Sequence, residues 1–221
     1  QKGNEKILQD VPHRDMEDLA LIYRIDLGGG ATATIHNKTL AEYGITEEQL
    51  HDDAIRSAAE LHPANIATMS EMLGMPDMGG PALYVATNDN GIFGASVVAY
   101  PGMLEEAAQR LQGDYYILPS SIHEVLLISA KEAQDYHDLE AMVRQINETE
   151  VSLADRLSDK VYRFDSKDRI FELAEKHEKR MQEKTSEKTA EKGLGKLKEK
   201  KAEAALQPKR PAQPEREAMA L

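Results

Sequence analysis

The densest grouping of reactive side chains in the chain is Pro119-Ser120-Ser121-Ile122-His123-Glu124. A serine, a histidine and a carboxylate are the ingredients of acyl transfer, in which the imidazole deprotonates the hydroxyl and the acid orients the imidazole. The spacing works against that use. On a strand, Ser121 and His123 point to one face and Glu124 to the other, so Glu124 cannot orient His123 locally. No Gly-x-Ser-x-Gly elbow surrounds either serine. The favoured reading is a Pro-Ser-Ser turn whose hydroxyls bond nearby backbone. Ser120, Ser121, His123 and Glu124 are the candidates for a hydrolase, with no catalytic role assigned to any.

Other chemistry is thinner. His123-Glu124 begins a zincin pattern, but Leu127 stands where the second histidine must fall. His13, His36, His51, His62, His137 and His177 show no ligand spacing, and His51-Asp52-Asp53 would fan apart on a helix. No metal and no cofactor is expected. Gly28-Gly29-Gly30 invites a phosphate-loop reading, yet Ala33 occupies the place of the third glycine of a dinucleotide fingerprint. A hairpin loop is the favoured reading. There is no cysteine, which removes thiol nucleophiles, disulfides and thiolate metal sites.

The 221 residues carry a net charge of −12, and its distribution is uneven. Residues 1–166 hold 12 Lys and Arg against 28 Asp and Glu, whereas residues 167–221 hold 15 against 11. An acidic body disfavours duplex nucleic acid and anionic lipid, both of which need clustered cations. No apolar run is long enough to span a bilayer. A cytoplasmic protein with a protein partner is the expectation. Nucleic-acid binding through the basic tail is a distant alternative.

Elements must hold these side chains in place. Residues 19–26 read as a strand, with 31–36 as its hairpin partner. Asn37 reads as the N-cap of a short helix that stops at Gly44. Thr46-Glu47-Glu48-Gln49 is a capping box, with Ile45 and Leu50 as its hydrophobic staple. Leu50, Ala54, Ala58 and Leu61 then mark one face of a helix ended by Pro63. Residues 68–74 suit a short helix. Residues 82–88 and 92–100 read as strands of a hairpin about Asn90-Gly91. Met103, Leu104, Ala107, Ala108 and Leu111 form a helical stripe capped by Gly113. Residues 114–118 and 122–129 read as two further strands. Leu139, Met142, Val143 and Ile146 mark another helix, Ser152 and Asp155 cap a short turn, and 160–164 reads as a last strand.

Beyond Asp165 the pattern turns helical, through Ile170, Phe171, Leu173, Ala174 and Met181. From Glu183 a four-residue period stacks glutamates on one stripe and lysines on the next, and like charges at that spacing repel. Pro208, Pro211 and Pro214 stop helix altogether. The expected organisation is therefore an N-terminal linker (1–18), an α+β domain (19–165), a helical extension (166–182) and a disordered tail (183–221). Recurrent hairpins predict a mostly antiparallel mixed sheet with helices packed on one face.

Several stretches resemble a known family: VPHRDMEDLALIYRI (11–25), ITEEQLHDDA (45–54), ALYVATNDNGIFGASVVAYPGMLEE (82–106), DYYILPSSIHEVLLI (114–128), LEAMVRQINETEV (139–151) and LSDKVYRFD (157–165). Their order and spacing are similar to the bacterial family called domain of unknown function 5688, across about residues 5–165. A more distant likeness runs to domain of unknown function 1444, in GITEEQLHDDA and the strand YRF. The resemblance implies no activity, cofactor or catalytic residue. Members of the family usually have a region before the VPHR stretch, so it also implies that a chain opening at Gln1 is a fragment. A non-catalytic interaction or regulatory module is the leading functional expectation, with the serine hydrolase as its rival.

Overall fold

The computed structural model describes residues 5–76, 79–119, 121–133 and 135–186. The chain divides into two units, Gln1–His177 and Glu178–Leu221. Of the second, residues 178–186 are described and are helical. The expected disordered tail lies outside the described residues from 187 onward.

The first unit opens with a helical turn, α1 (Glu5–Leu8), and two ribbons, β1 (His13–Met16) with β2 (Leu19–Ile22) and β3 (Arg24–Gly28) with β4 (Ala31–Thr34). The helices α2 (Asn37–Tyr43) and α3 (Glu47–Leu61) follow. Next come β5 (Ala64–Thr68), α4 (Met69–Leu73), β6 (Leu83–Asn88), a 3-10 helix (Gly94–Ala99) and α5 (Met103–Arg110). The unit continues with β7 (Tyr115–Leu118), β8 (Val125–Ser129), α6 (Tyr136–Thr149), β9 (Tyr162–Asp165) and β10 (Ile170–Leu173). Six strands form one sheet in the order β10-β9-β7-β8-β6-β5, and every neighbouring pair is antiparallel. The α+β class and the antiparallel pairing agree with the sequence pattern.

The helices do not share one face. Tyr115 and Ile117 of β7, with Val125 and Leu127 of β8, pack in one core with Met103 and Ala107 of α5 and with Leu111, its C-cap. The alternate residues Tyr116, Leu118, Leu126 and Ile128 pack in another with Tyr136, Leu139 and Val143 of α6. Side chains on a strand alternate between faces, and here both sets are apolar, so the sheet needs a helix on each side. A smaller third core gathers Tyr23, Ile35, Leu40 and Leu50, with Ile45 and Ala54 against it.

Local signals hold where they depend on residues a few positions apart. Thr46 Oγ1 accepts the Gln49 N–H at 3.1 Å, and Gln49 Oε1 accepts the Thr46 N–H at 3.0 Å. Thr68 and Glu71 build a second capping box on α4. The three glycines at 28–30 all take positive φ, as a tight hairpin loop requires. The N-cap of α2 is His36 in place of Asn37, with no side-chain bond to the helix. Asn37 Nδ2 reaches back to the Gln9 carbonyl at 3.4 Å.

Long-range pairing overturns other expectations. The strand expected over 19–26 is divided at the buried Tyr23, and its first half pairs with 13–16. The segment 92–100 is not a strand: both sides of β6 are already taken by β5 and β8, and its buried apolar residues coil into the 3-10 helix. Residues 170–173, expected to be helical, are the edge strand β10. Asp165 Oδ1 accepts the N–H groups of Lys167 and Asp168 at 3.1 and 2.9 Å, and Arg169 takes φ +55°, which turns the chain back onto β9. Phe171 then stacks on Tyr162 with ring centroids 5.0 Å apart. Helix resumes at 174 and runs to 186, so 183–186 are helical too. Leu61, assigned to the buried face of α3, is 63% exposed because it stands in the last turn, beyond the packed stripe.

Candidate functional site

His123 stands in the connection between β7 and β8, two residues before β8 begins. That connection is laced to its neighbours. The Ile122 N–H donates to the Asp155 carbonyl at 2.8 Å, the Ala95 N–H to the Ile122 carbonyl at 3.2 Å, and the Ser158 N–H to the Pro119 carbonyl at 3.0 Å. Ser121 forms an isolated bridge with Arg156. The His123 carbonyl accepts the Thr87 hydroxyl at 2.8 Å.

The ring of His123 has a partner at each nitrogen. Nδ1 accepts the Phe93 N–H at 3.4 Å, and Nε2 lies 3.6 Å from Asp155 Oδ1. A backbone N–H can only donate, so in the neutral ring Nδ1 is bare and the proton sits on Nε2, facing Asp155. Phe93 lies nearly parallel to the imidazole, with centroids 6.0 Å apart, and the Arg24 guanidinium carbon sits 4.5 Å from the Phe93 ring centre. Phe93 itself holds φ +53°, an uncommon conformation for a bulky residue. Its neighbour Gly94 is packed tightly. A Cβ added at Gly94 would lie 2.0 Å from Thr87 Oγ1 and 2.3 Å from the His123 carbonyl oxygen.

Among the sequence candidates, Ser121 is buried, and its Oγ accepts the His123 N–H at 3.0 Å. This is the local hydroxyl-to-backbone bond expected of a Pro-Ser-Ser turn. Ser120 lies outside the described residues. Glu124 stands next to His123 in sequence, but the carboxylate opposite the ring is Asp155. Sequence reasoning saw Asp155 only as a capping residue. No helix forms there, and the two side chains bond each other across a turn, the Ser152 hydroxyl donating to Asp155 Oδ2 at 2.8 Å. The other oxygen of the same carboxylate meets His123 from 32 residues away. No local spacing could signal that.

A second constellation lies outside the candidate list. His62, the C-cap of α3, has Nε2 3.4 Å from Asp26 Oδ2 and Nδ1 3.2 Å from Asp89 Oδ1. His51, considered as a metal ligand, bonds instead through Nδ1 to the Tyr23 hydroxyl at 2.9 Å. Burial drives both partners toward their neutral forms, pushing the Tyr23 phenol up and the His51 imidazole down. Asp53 is paired with Arg56. Among the described residues no group of three or more His, Cys, Asp or Glu is arranged to hold a metal ion. Among them, too, no helix is long and apolar enough to cross a membrane.

The model of a family of unknown function (DUF5688) matches residues 1–166. The chain belongs to that family. The match ends one residue past β9, so β10 and the helix after it lie beyond the shared region. No curated protein and no solved structure matches the chain.

Proposed function

We propose that this chain is a non-catalytic protein-interaction or regulatory module. The observation that carries the reading is how the Ser–His–acid grouping is used. His123 Nδ1 takes a backbone proton, and Ser121 Oγ takes another. The hydroxyl therefore binds its own loop and the imidazole binds the Phe93 backbone after β6, which is a structural occupation of both. Apolar side chains stand outside the cores, among them Met72, Leu73 and Met75 on and after α4. Methionine suits contact surfaces because its unbranched chain adapts to a partner.

The test compares the full chain with a double variant, Met72→Glu and Leu73→Glu. Proteins retained by the first and lost by the second, with the fold unchanged by circular dichroism, support the reading. Equal retention by both counts against this face as the contact surface.

One observation favours a second reading, hydrolysis. The His123–Asp155 pair is solvent-accessible on both sides, with 35% and 39% of the side chains exposed. In that reading Asp155 takes the orienting role first considered for Glu124, and Ser120 or Ser121 is the nucleophile. Release of Nδ1 from Phe93 would then have to precede proton transfer. Labelling by a serine-reactive phosphonate that is lost on His123→Ala would support it, and no labelling of the folded chain would end it.

A further inference from the structure

His62 Nδ1 faces two partners that cannot both be satisfied. The Asn90 side-chain nitrogen lies 3.0 Å away and Asp89 Oδ1 lies 3.2 Å away. The Asn90 amide cannot simply be turned around, because its oxygen accepts the Ile92 N–H at 2.8 Å. So Asn90 presents a donor to Nδ1 while Asp89 presents an acceptor. A neutral ring with its proton on Nε2 suits Asn90, and that proton points at Asp26 Oδ2, 3.4 Å away. A protonated ring donates at both nitrogens, so it suits Asp89 and Asp26 and opposes the Asn90 NH2.

We propose that His62 is a proton switch in which uptake of one proton exchanges Asn90 for Asp89 at Nδ1. The exchange tightens the β3–β4 ribbon against the loop that follows β6.

Three pieces of structure meet at this ring. His62 is anchored at the end of α3 by its own N–H, which donates to the Ala58 carbonyl at 2.8 Å. Asp26 comes from β3, and Asp89 and Asn90 come from the loop after β6. These are the groups that face the ring, and neither α3 nor β5 puts a charged side chain within ion-pair distance of it among the described residues. Asp26 is held below the usual carboxylate range, first by the Gly28 N–H and then by His62. The charge-assisted bridge to two carboxylates exists only for the protonated ring. Tightening therefore belongs to the acid side of the titration and is lost as pH rises.

The loop has more to transmit than its own position. Asn90 fixes Ile92, the Ile92 carbonyl accepts the Asn88 Nδ2 proton at 2.9 Å, and Phe93 then carries both the His123 ring and the Arg24 guanidinium. The ribbon carries the exposed Ile25 and Leu27, 37% and 64% accessible. The switch thus governs how firmly those apolar side chains are presented. It stands whether or not the interaction reading of this chain is right.

The test is a proton–nitrogen NMR titration of the full chain from about pH 5 to pH 8, spanning the ordinary histidine range, with His62 ring nitrogens observed directly. The Asn90 side-chain amide and the Ile92 N–H should move with the same midpoint as the His62 ring. Amide protection across β3 and β4, corrected for intrinsic exchange, should fall about two- to fivefold through that midpoint, the range a partly exposed ion pair supplies. His62→Gln should abolish both steps. Asn90→Ala should abolish the loop response while the ribbon response through Asp26 and Asp89 persists, so the proposal stays testable if His62→Gln fails to fold. Flat Asn90 and Ile92 signals while His62 titrates would overturn it, and so would ribbon protection that does not change with pH.

Discussion

The buried hydroxyl of Tyr162 donates to the carboxylate of Asp18, a residue 144 positions earlier in the chain. Asp18 follows the Met16 end of β1, and its second oxygen accepts the Ser158 hydroxyl at 3.1 Å. Glu17 beside it is paired with Lys176. Residues that read as the end of a polar linker are therefore fastened to the central sheet. Burial, and then the bond to Asp18, drive the phenol strongly toward its protonated form. Tyr162→Phe should lower unfolding stability by about 1–2 kcal/mol, because it leaves a carboxylate oxygen without its donor. Urea denaturation checks this. Limited proteolysis should also cut the variant earlier within residues 9–18 than the parent.

Gly94 is the tightest packing point near His123. An added methyl group would meet Thr87 Oγ1 and the His123 carbonyl oxygen well inside contact distance. Relief requires breaking the bond between those two atoms or moving the start of the 3-10 helix. Gly94→Ala should therefore cost about 3 kcal/mol or more, among the larger effects of a single substitution. It should also shift the His123 ring resonances, because the same backbone carries the Phe93 N–H. Denaturant midpoints and an NMR spectrum read both outcomes.

The acid limb of stability should depend on Asp114. Partial burial pushes its carboxyl up, but the Ser166 hydroxyl and N–H and the Arg163 guanidinium outweigh that and hold it below the usual carboxylate range. These bonds measure 2.7, 3.0 and 3.0 Å. A carboxyl lowered on folding contributes stability above its unfolded value of about 4, and that stability is lost as pH falls through the folded value. Asp114→Asn should cost about 1–2 kcal/mol at neutral pH and flatten the decline in stability below about pH 4. Thermal melts across pH 2–7 would show it.

Strand β5 is an edge of the sheet, and side chains occupy two of its backbone groups. Arg110 Nη1 donates to the Ile66 carbonyl at 2.6 Å, and Glu71 Oε2 accepts the Thr68 N–H at 2.8 Å. Glu106 holds the Arg110 guanidinium from one turn earlier, at 2.8 Å. Such occupation blunts an edge against pairing with another chain. Arg110→Ala should cost about 1 kcal/mol and raise concentration-dependent association. Static light scattering over a concentration series checks the second effect.

How much was legible depends on the range of the interaction. The box at Thr46, the stop at Gly44 and the glycine loop at 28–30 were readable because each involves bonds between residues at most a few positions apart. The stripes of α5 and α6 were readable because their period matches a helix, except that Met142 of the α6 stripe is exposed. The 3-10 helix was not. An apolar stretch after Asn90-Gly91 makes a strand only if an edge is free, and β5 and β8 had already closed both edges of β6. The strand β10 was missed for a related reason, since its apolar residues suit either period and the turn at Arg169 decides between them.

For the candidate site the division is sharper. The sequence by itself determined that Ser121 would bond nearby backbone beside a histidine, a local preference of serine. The strand expected from Ile122 begins only at Val125, so the face-by-face argument that set Glu124 aside does not apply to residues 121–124. Only the tertiary structure decided that Asp155 stands opposite His123, that Phe93 occupies its other nitrogen, and that His62 sits between Asp26 and Asp89. Each of these contacts joins residues that no local period connects. They exist because the pairing of β6, β8 and the 3-10 helix brings distant loops to one place, and that pairing is set by which apolar faces find partners across the whole domain.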